Sequence, residues 1–318
     1  MDFAASLALV APEIVLSVSG LVLLLVAAWA GDRSANLVSI VACIVLAGLA
    51  FKIAAVPFHM WTPDVYEGSP TPVTLFFASA PKVAAVALTA RVAFDAFGTQ
   101  VDAWRQIVAF AALASIVVGA LGAIGQSNIK RFLAYSSINN VGFILIGLAT
   151  GTAEGASAML VYLAIYVPMT VGSFVAVLML KDEAGQPIEA IADMAGLSRT
   201  RPALAWCIAV LMFSLAGIPP LFGFWGKLVV FQAAVEADLV VLAALGIAAS
   251  VIGAFYYIKI VKIMFFDEPA DTIRGKSDWA HWALLWICVI VMSPLGYLLT
   301  EPLGVLADGA AAALFLVG

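Results

Sequence analysis

The stretch PVTLFFASAPKVAAVALTARVAFDAF, residues Pro72–Phe97, decides how this chain is read. It is long enough to cross a bilayer as a helix, which takes roughly 20 apolar residues. It also carries a lysine in its interior. Lys82 stands about ten residues into the stretch, roughly 15 Å from its start at 1.5 Å rise per residue. That depth is near the midplane, where snorkelling to either surface is hardest. An ionised lysine there costs about 2.5–3.5 kcal/mol on insertion scales. It must face protein or water, and a lysine that can release its proton there is a proton carrier. The competing reading of Lys82 is a structural ion pair.

The rest of the chain repeats the apolar theme. Of 318 residues, 64% are hydrophobic and 11% are charged; the mean hydropathy is +1.10. A soluble domain carries about 25% charged residues. The chain therefore reads as embedded in the lipid bilayer. Nine spans are expected: Phe3–Ala30, Leu37–Val56, Pro72–Phe97, Ala103–Ile124, Asn128–Thr150, Ala156–Leu180, Pro202–Ala234, Leu239–Phe265 and Trp279–Thr300, followed by a short apolar tail. Backbone polar groups must be satisfied inside lipid, so each span is expected to be a helix. Met1-Asp2-Phe3 lacks the basic start of a secretory signal, so the first span is read as retained. The expectation is an all-α, polytopic membrane protein, one membrane domain over residues 1–318 with no soluble appendage.

Two spans are interrupted. The second runs into Val56-Pro57-Phe58-His59, and the seventh holds Gly217-Ile218-Pro219-Pro220 in its middle. Each proline removes an N–H donor and clashes with the preceding turn. Such a break survives at membrane depth only where protein or a wet cavity surrounds it, and discontinuous helices recur at ion-transport sites. Lys52 lies just before the first break and Lys227 just after the second. Freed carbonyls and water there can solvate an ammonium; the bland alternative is a lysine snorkelling from a helix end. Lys130, beside Arg131 at a helix start, reads from the residues alone as a headgroup anchor. His59 could relay protons near neutral pH, although a single histidine beside a loop is usually structural.

The loop cations set the orientation. Lys130, Arg131, Lys181, Arg199, Arg201, Lys262, Arg274 and Lys276 fall on one side, and Arg33 and Arg105 on the other. The positive-inside rule makes the first side cytoplasmic. Several chemistries find no support. No basic face suggests nucleic acid. No glycine-rich phosphate loop, metal-ligand cluster or nucleophile–base motif stands out, and Cys43, Cys207 and Cys288 lie singly in apolar runs. The chemistry left to the chain is the movement of protons or cations.

The run Phe51-Lys52-Ile53-Ala54-Ala55-Val56-Pro57-Phe58-His59-Met60-Trp61-Thr62-Pro63-Asp64-Val65-Tyr66-Glu67-Gly68 resembles the signature of the N-type membrane subunits of proton-pumping NADH–quinone oxidoreductase, respiratory complex I. The runs Ile129-Lys130-Arg131-Phe132-Leu133-Ala134-Tyr135-Ser136-Ser137-Ile138 and Gly217-Ile218-Pro219-Pro220-Leu221-Phe222-Gly223-Phe224-Trp225-Gly226-Lys227 are similar as well. The Pro-Phe-His and Gly-Ile-Pro-Pro cores also occur in cation/proton antiporter subunits. The resemblance implies an antiporter-like translocase subunit with a proton path through Lys52, Lys82, Lys130 and Lys227. It implies a hetero-oligomer with other membrane subunits in a bacterial inner membrane. NADH, flavin, iron–sulfur clusters and quinone, and with them electron transport, would belong to partner subunits, with no cofactor in this chain. The alternatives are a subunit of a cation/proton antiporter, or a structural membrane subunit with an incomplete channel.

The resemblance also implies a departure. The family builds about fourteen helices, with two inverted five-helix repeats. Here residues 1–44 correspond to the first helix and the start of the second. Residues 45–97 correspond to a remnant of the first repeat, 101–265 to the second repeat, and 279–318 to a C-terminal helix and tail. About five helices, and a paired glutamate on one of them, would be missing at Cys43–Leu46. Every acid other than Glu13 and Asp95 is expected in a loop or at a helix edge, so no buried counter-ion for Lys52 and Lys82 is visible.

Overall fold

The computed structural model describes residues 35–315 apart from Asp271 and Lys276, with side chains described from Ile44 onward. The chain divides into two compact units, Met1–Ile53 and Ala54–Gly318. In the first unit the described element is α1 (Ala35–Ile53), which carries Lys52 in its last turn. The expected span Phe3–Ala30, with Glu13 and then Arg33, lies outside the described residues.

The second unit is helical throughout, with no strand among the described residues. Its helices are α2 (Trp61–Gly68), α3 (Thr71–Ala78), α4 (Ala80–Arg91), α5 (Val101–Ile124), α6 (Ile129–Ala149), α7 (Ala153–Leu178), α8 (Leu197–Thr200), α9 (Pro202–Ala216), α10 (Phe222–Glu236), α11 (Val240–Phe266), α12 (Trp279–Met292) and α13 (Thr300–Phe315). Six helical runs are long and apolar enough to cross a membrane: Thr71–Ala96, Gly98–Ile124, Ile129–Ala149, Ala153–Leu178, Val240–Phe266 and Pro294–Phe315. Ile44–Ile53, Pro202–Ala216 and Trp279–Met292 are shorter apolar helices. The protein is an all-α, multi-pass membrane protein.

Both expected breaks are present. α1 ends at Ile53 and α2 begins at Trp61. Between them, the N–H of Val56 donates to Ser115 Oγ of α5 at 3.0 Å, which satisfies a donor that the interrupted helix frees. The second break separates α9 from α10, at Gly217–Leu221.

Two features differ from the sequence reading. The span read as continuous over Pro72–Phe97 is two helices that meet at Ser79, whose backbone leaves the helical region (φ −116°, ψ −88°). Pro81 supplies no N–H to the turn before it, and the Ser79 hydroxyl donates to Leu75 O at 2.7 Å. The apolar tail is the second difference. α12 stops at Met292 because Ser293 turns the chain, its hydroxyl accepting from the Leu295 N–H at 3.2 Å, and Pro294 opens a new turn. The segment Pro294–Phe315 is then helical over 22 residues. It packs along α7, where Ser157 Oγ donates to Asp308 Oδ1 at 2.5 Å.

α6 is the centre of the second unit. All but two of its 21 residues are buried, and α5, α7, α2, α10 and α11 pack around it. α5 and α11 instead expose Ile107, Phe110, Val241, Val251 and Phe255 outward. This is the division expected of a helix shielded from lipid and helices that face it.

Candidate functional site

Three of the four lysines singled out in the sequence converge on α6. Lys82, on α4, is 3% exposed. Its ammonium donates to Ser137 Oγ of α6 and lies 5.8 Å from the centroid of the Tyr166 ring. Ser137 Oγ and Tyr166 OH share a second hydrogen bond at 2.8 Å. Tyr166 comes from α7, so three helices meet at this ammonium. The Ser79 break starts α4 only three residues before Lys82.

Lys227, on α10, is 6% exposed. Its ammonium donates to Ala216 O at 2.9 Å and to Ser250 Oγ of α11 at 3.1 Å, and it stands 4.5 Å from the centroid of the Phe143 ring. The Ala216 carbonyl is available because α9 ends there. Gly217 follows in the left-handed region (φ 79°) and turns the chain out of the helix, as glycine does at helix C-termini. The Pro219–Pro220 break therefore frees a carbonyl that a continuous helix would have consumed. The negative face of an aromatic ring adds a further favourable contact, worth about 2 kcal/mol when desolvated.

Lys130 differs from both. It is 3% exposed and forms an ion pair with Glu189, Nζ to Oε1 2.7 Å. It also donates to Ser69 O at the α2–α3 corner, at 2.9 Å. A headgroup anchor would be open to solvent; this ammonium is enclosed. Its neighbour Arg131 pairs with Asp64 at 2.5 Å and Glu67 at 2.9 Å, both on α2. Among the described residues, no carboxylate pairs with Lys82 or Lys227.

Lys52 belongs to the first unit. His59 sits half-buried in the turn before α2, where its carbonyl accepts from the N–H of Thr62 at 3.0 Å. Val56–Pro57 and Pro219–Pro220 are both cis.

The sequence reading missed a set of hydroxyl and amide side chains on α6. Ser136 Oγ and Tyr257 OH are 2.5 Å apart. Asn140 donates to Ser136 O at 2.7 Å and accepts from Tyr162 OH at 2.6 Å. The Tyr162 ring stacks edge-on to Phe143 at 5.9 Å, the ring that faces Lys227. Polar groups thus follow α6 from Lys130 past Ser137, where Lys82 bonds, to Asn140 and the neighbourhood of Lys227. A hydroxyl both donates and accepts, so it can pass a proton by exchanging the two roles. The signal was there to be read: Ser136, Ser137, Asn139 and Asn140 in an otherwise apolar span. Polar side chains at that depth pair across helices or line functional paths.

Ser137→Ala is expected to leave the Lys82 ammonium without a hydroxyl partner. An unsatisfied buried donor costs about 1–3 kcal/mol. The variant should melt earlier in detergent than the unaltered protein, and an unchanged melting curve would show that Ser137 does not hold Lys82. Among the described residues, no three His, Cys, Asp or Glu side chains converge as a metal site would require.

Comparison with known proteins adds kinship to this geometry. The family model for the transmembrane region of the NADH:quinone oxidoreductase/Mrp antiporters matches residues 3–253. NADH-quinone oxidoreductase subunit N of Erythrobacter litoralis is 76% identical over 272 residues, which cover 86% of this chain and 56% of that protein. A chain of respiratory complex I from Thermus thermophilus superposes with a TM-score of 0.71 at 33% identity, covering 95% of this chain and 67% of the other. A chain of the Mrp complex from Dietzia sp. shares the fold with a TM-score of 0.80 at 24% identity, over 98% of this chain and 68% of that one. The chain spans about half the length of the curated relatives it matches. It belongs to the NADH:quinone oxidoreductase/Mrp antiporter family of membrane proteins.

Proposed function

We propose that this chain is a membrane subunit of a NADH–quinone oxidoreductase in the bacterial cytoplasmic membrane, and that it carries protons along Lys52, Lys82, Lys130 and Lys227. The observation that carries the reading is the burial of Lys82 and Lys227 with neutral partners only: a serine hydroxyl, a main-chain carbonyl and aromatic rings. An ammonium held that way has no carboxylate bound to it. It can give the proton up without leaving a carboxylate stranded beside it. Arg131, by contrast, is held by the carboxylates of Asp64 and Glu67.

In this reading residues 101–265 form the second repeat of the antiporter-like fold, and 45–97 are what remains of the first. The redox chemistry, with NADH, flavin, iron–sulfur clusters and quinone, belongs to partner subunits. The proton path is this chain's part in the coupled reaction.

The test is NADH-driven proton pumping by the assembled complex with Lys82→Met and with Lys227→Met. Methionine keeps much of the volume and removes the titratable group. Each variant is expected to lose most of its pumping while the protein still accumulates, since methionine fills much of the same space and removes the cost of burying a charge. Unchanged pumping in both would remove the lysines from the path.

A further inference from the structure

We propose that Glu189 is the cytoplasmic proton donor to Lys130, the residue through which the path meets water. The inference rests on the proton-path reading above and adds to it a residue outside every helix.

Glu189 lies in the loop between α7 and α8, 59 residues from Lys130 in sequence, yet the fold holds it tightly. Its carboxylate oxygens are both engaged: Oε1 pairs with Lys130 Nζ at 2.7 Å, and Oε2 accepts from Asn128 Nδ2 at 3.0 Å. Its backbone carbonyl accepts from the N–H of Ile129 at 2.8 Å. Ala190 bridges to Asn128, and the N–H of Ile191 donates to Ser127 O at 2.8 Å. Asn128 also caps α6, its Oδ1 accepting from the N–H groups of Lys130 and Arg131. Loop and helix start are thus one hydrogen-bonded piece, and Glu189 has little freedom to leave it.

The two partners differ in exposure. The Lys130 side chain is 4% exposed and that of Glu189 is 25%. The acid is thus the more open partner of the pair and the ammonium the enclosed one. Of Lys82, Lys130 and Lys227, only Lys130 has a carboxylate partner among the described residues. It sits at the end of α6 where the loop cations gather. Arg201, from the same end, is tied by main-chain carbonyls at Met179 and Gly275 and by the Ser277 hydroxyl.

The step balances within the pair. Once Lys130 has passed a proton inward, its neutral amine takes the proton of a protonated Glu189: an O–H bond breaks, an N–H bond forms, and the ion pair seen here is restored. A hydronium ion at the cytoplasmic surface then returns a proton to the carboxylate and leaves as water. The charged group in contact with Glu189 is Lys130 from α6; beside it Arg131 stands with Asp64 and Glu67 from α2, and its own connection also carries Lys181, Asp182, Glu183 and Asp193. Arg131 is already held by the two acids of α2.

The experiment measures NADH-driven pumping by the assembled complex from about pH 6 to about pH 9, because the work of a general acid depends on how much of its protonated form is present at the operating pH. Glu189→Gln keeps an acceptor oxygen for Lys130 but cannot carry a proton. It is expected to pump nearly as well as the unaltered protein at the acid end and to fall several-fold below it at the alkaline end. Glu189→Asp should recover part of the alkaline rate. Normal pumping by Glu189→Gln at every pH would overturn the proposal, and so would an equal loss at every pH, the mark of a purely structural latch. If neither variant accumulates in the membrane, the pair is an element of the fold and the proposal falls. Lys82→Met and Lys227→Met, measured alongside, separate the two claims. If they stop pumping while Glu189→Gln does not alter its pH profile, the path stands and this inlet does not. If they pump normally, the path itself is wrong.

Discussion

Gly223→Val is expected to cost the protein more stability than any other change considered. A Cβ at Gly223 would stand 2.0 Å from Ser214 O and 2.7 Å from Ser214 Oγ. The nearer atom is main chain and cannot swing aside, so the start of α10 would have to separate from α9. Overpacking a close-packed interior costs about 1–3 kcal/mol even when side chains can yield. The N–H of Gly223 also donates to Ser214 Oγ at 3.1 Å, and losing that buried bond adds about 1 kcal/mol. A total of about 2–4 kcal/mol is large against the 5–15 kcal/mol by which folded proteins are typically stable. The measurement is the melting curve and the yield of intact protein in detergent. Gly309→Ala is the control, because nothing lies within 4 Å of a Cβ there. Equal melting of Gly223→Val and the control would mean that the two half-helices do not meet as described.

The second large effect is functional. Gly217→Ala is expected to reduce NADH-driven pumping towards the level of Lys227→Met while leaving protein in the membrane. Gly217 has φ 79°, a conformation that costs an L-residue roughly 1–2 kcal/mol. Its added Cβ would come 2.8 Å from Lys227 Cδ and 3.3 Å from Nζ. These atoms end a flexible side chain, so they move and the backbone stays. The movement takes the ammonium off the Ala216 carbonyl. Proton uptake and detergent yield should therefore part company in this variant, whereas in Gly223→Val they should fall together. Normal pumping by Gly217→Ala would mean that the carbonyl seat is not needed.

How much of this was legible in the sequence differs from residue to residue. The depth of Lys82 could be counted along the chain, because a helix converts residue number into distance. The two proline breaks could be read because proline acts locally. Ser79 could not: a serine with Pro81 two residues on reads equally as the first turn of an ordinary helix, and only packing shows where the axis shifts. The tail hid a helix because Pro294 and Gly296 punctuate it, while the support it receives comes from α7, far away in sequence. Lys130 was the hardest case. Its composition, Lys-Arg at a helix start, is that of a headgroup anchor, and the acid that changes its meaning lies in a loop. A contact between residues 59 positions apart leaves no periodic trace.

The enclosure of α6 has a consequence for how the protein is made. A helix carrying Lys130, Arg131, Ser136, Ser137, Asn139 and Asn140 is a poor candidate to enter hydrocarbon alone, since each polar group would meet lipid before its partners arrive. α5, immediately before it, is the most apolar of the six long runs, and it receives the Asn139 amide on its Ile116 carbonyl at 2.8 Å. Biosynthesis therefore favours entry of α5 and α6 together as a hairpin. The first polar bonds of α6 would close while the ribosome is still adding α7, and the remaining helices would assemble around a core whose hydrophilic side chains have already found their partners.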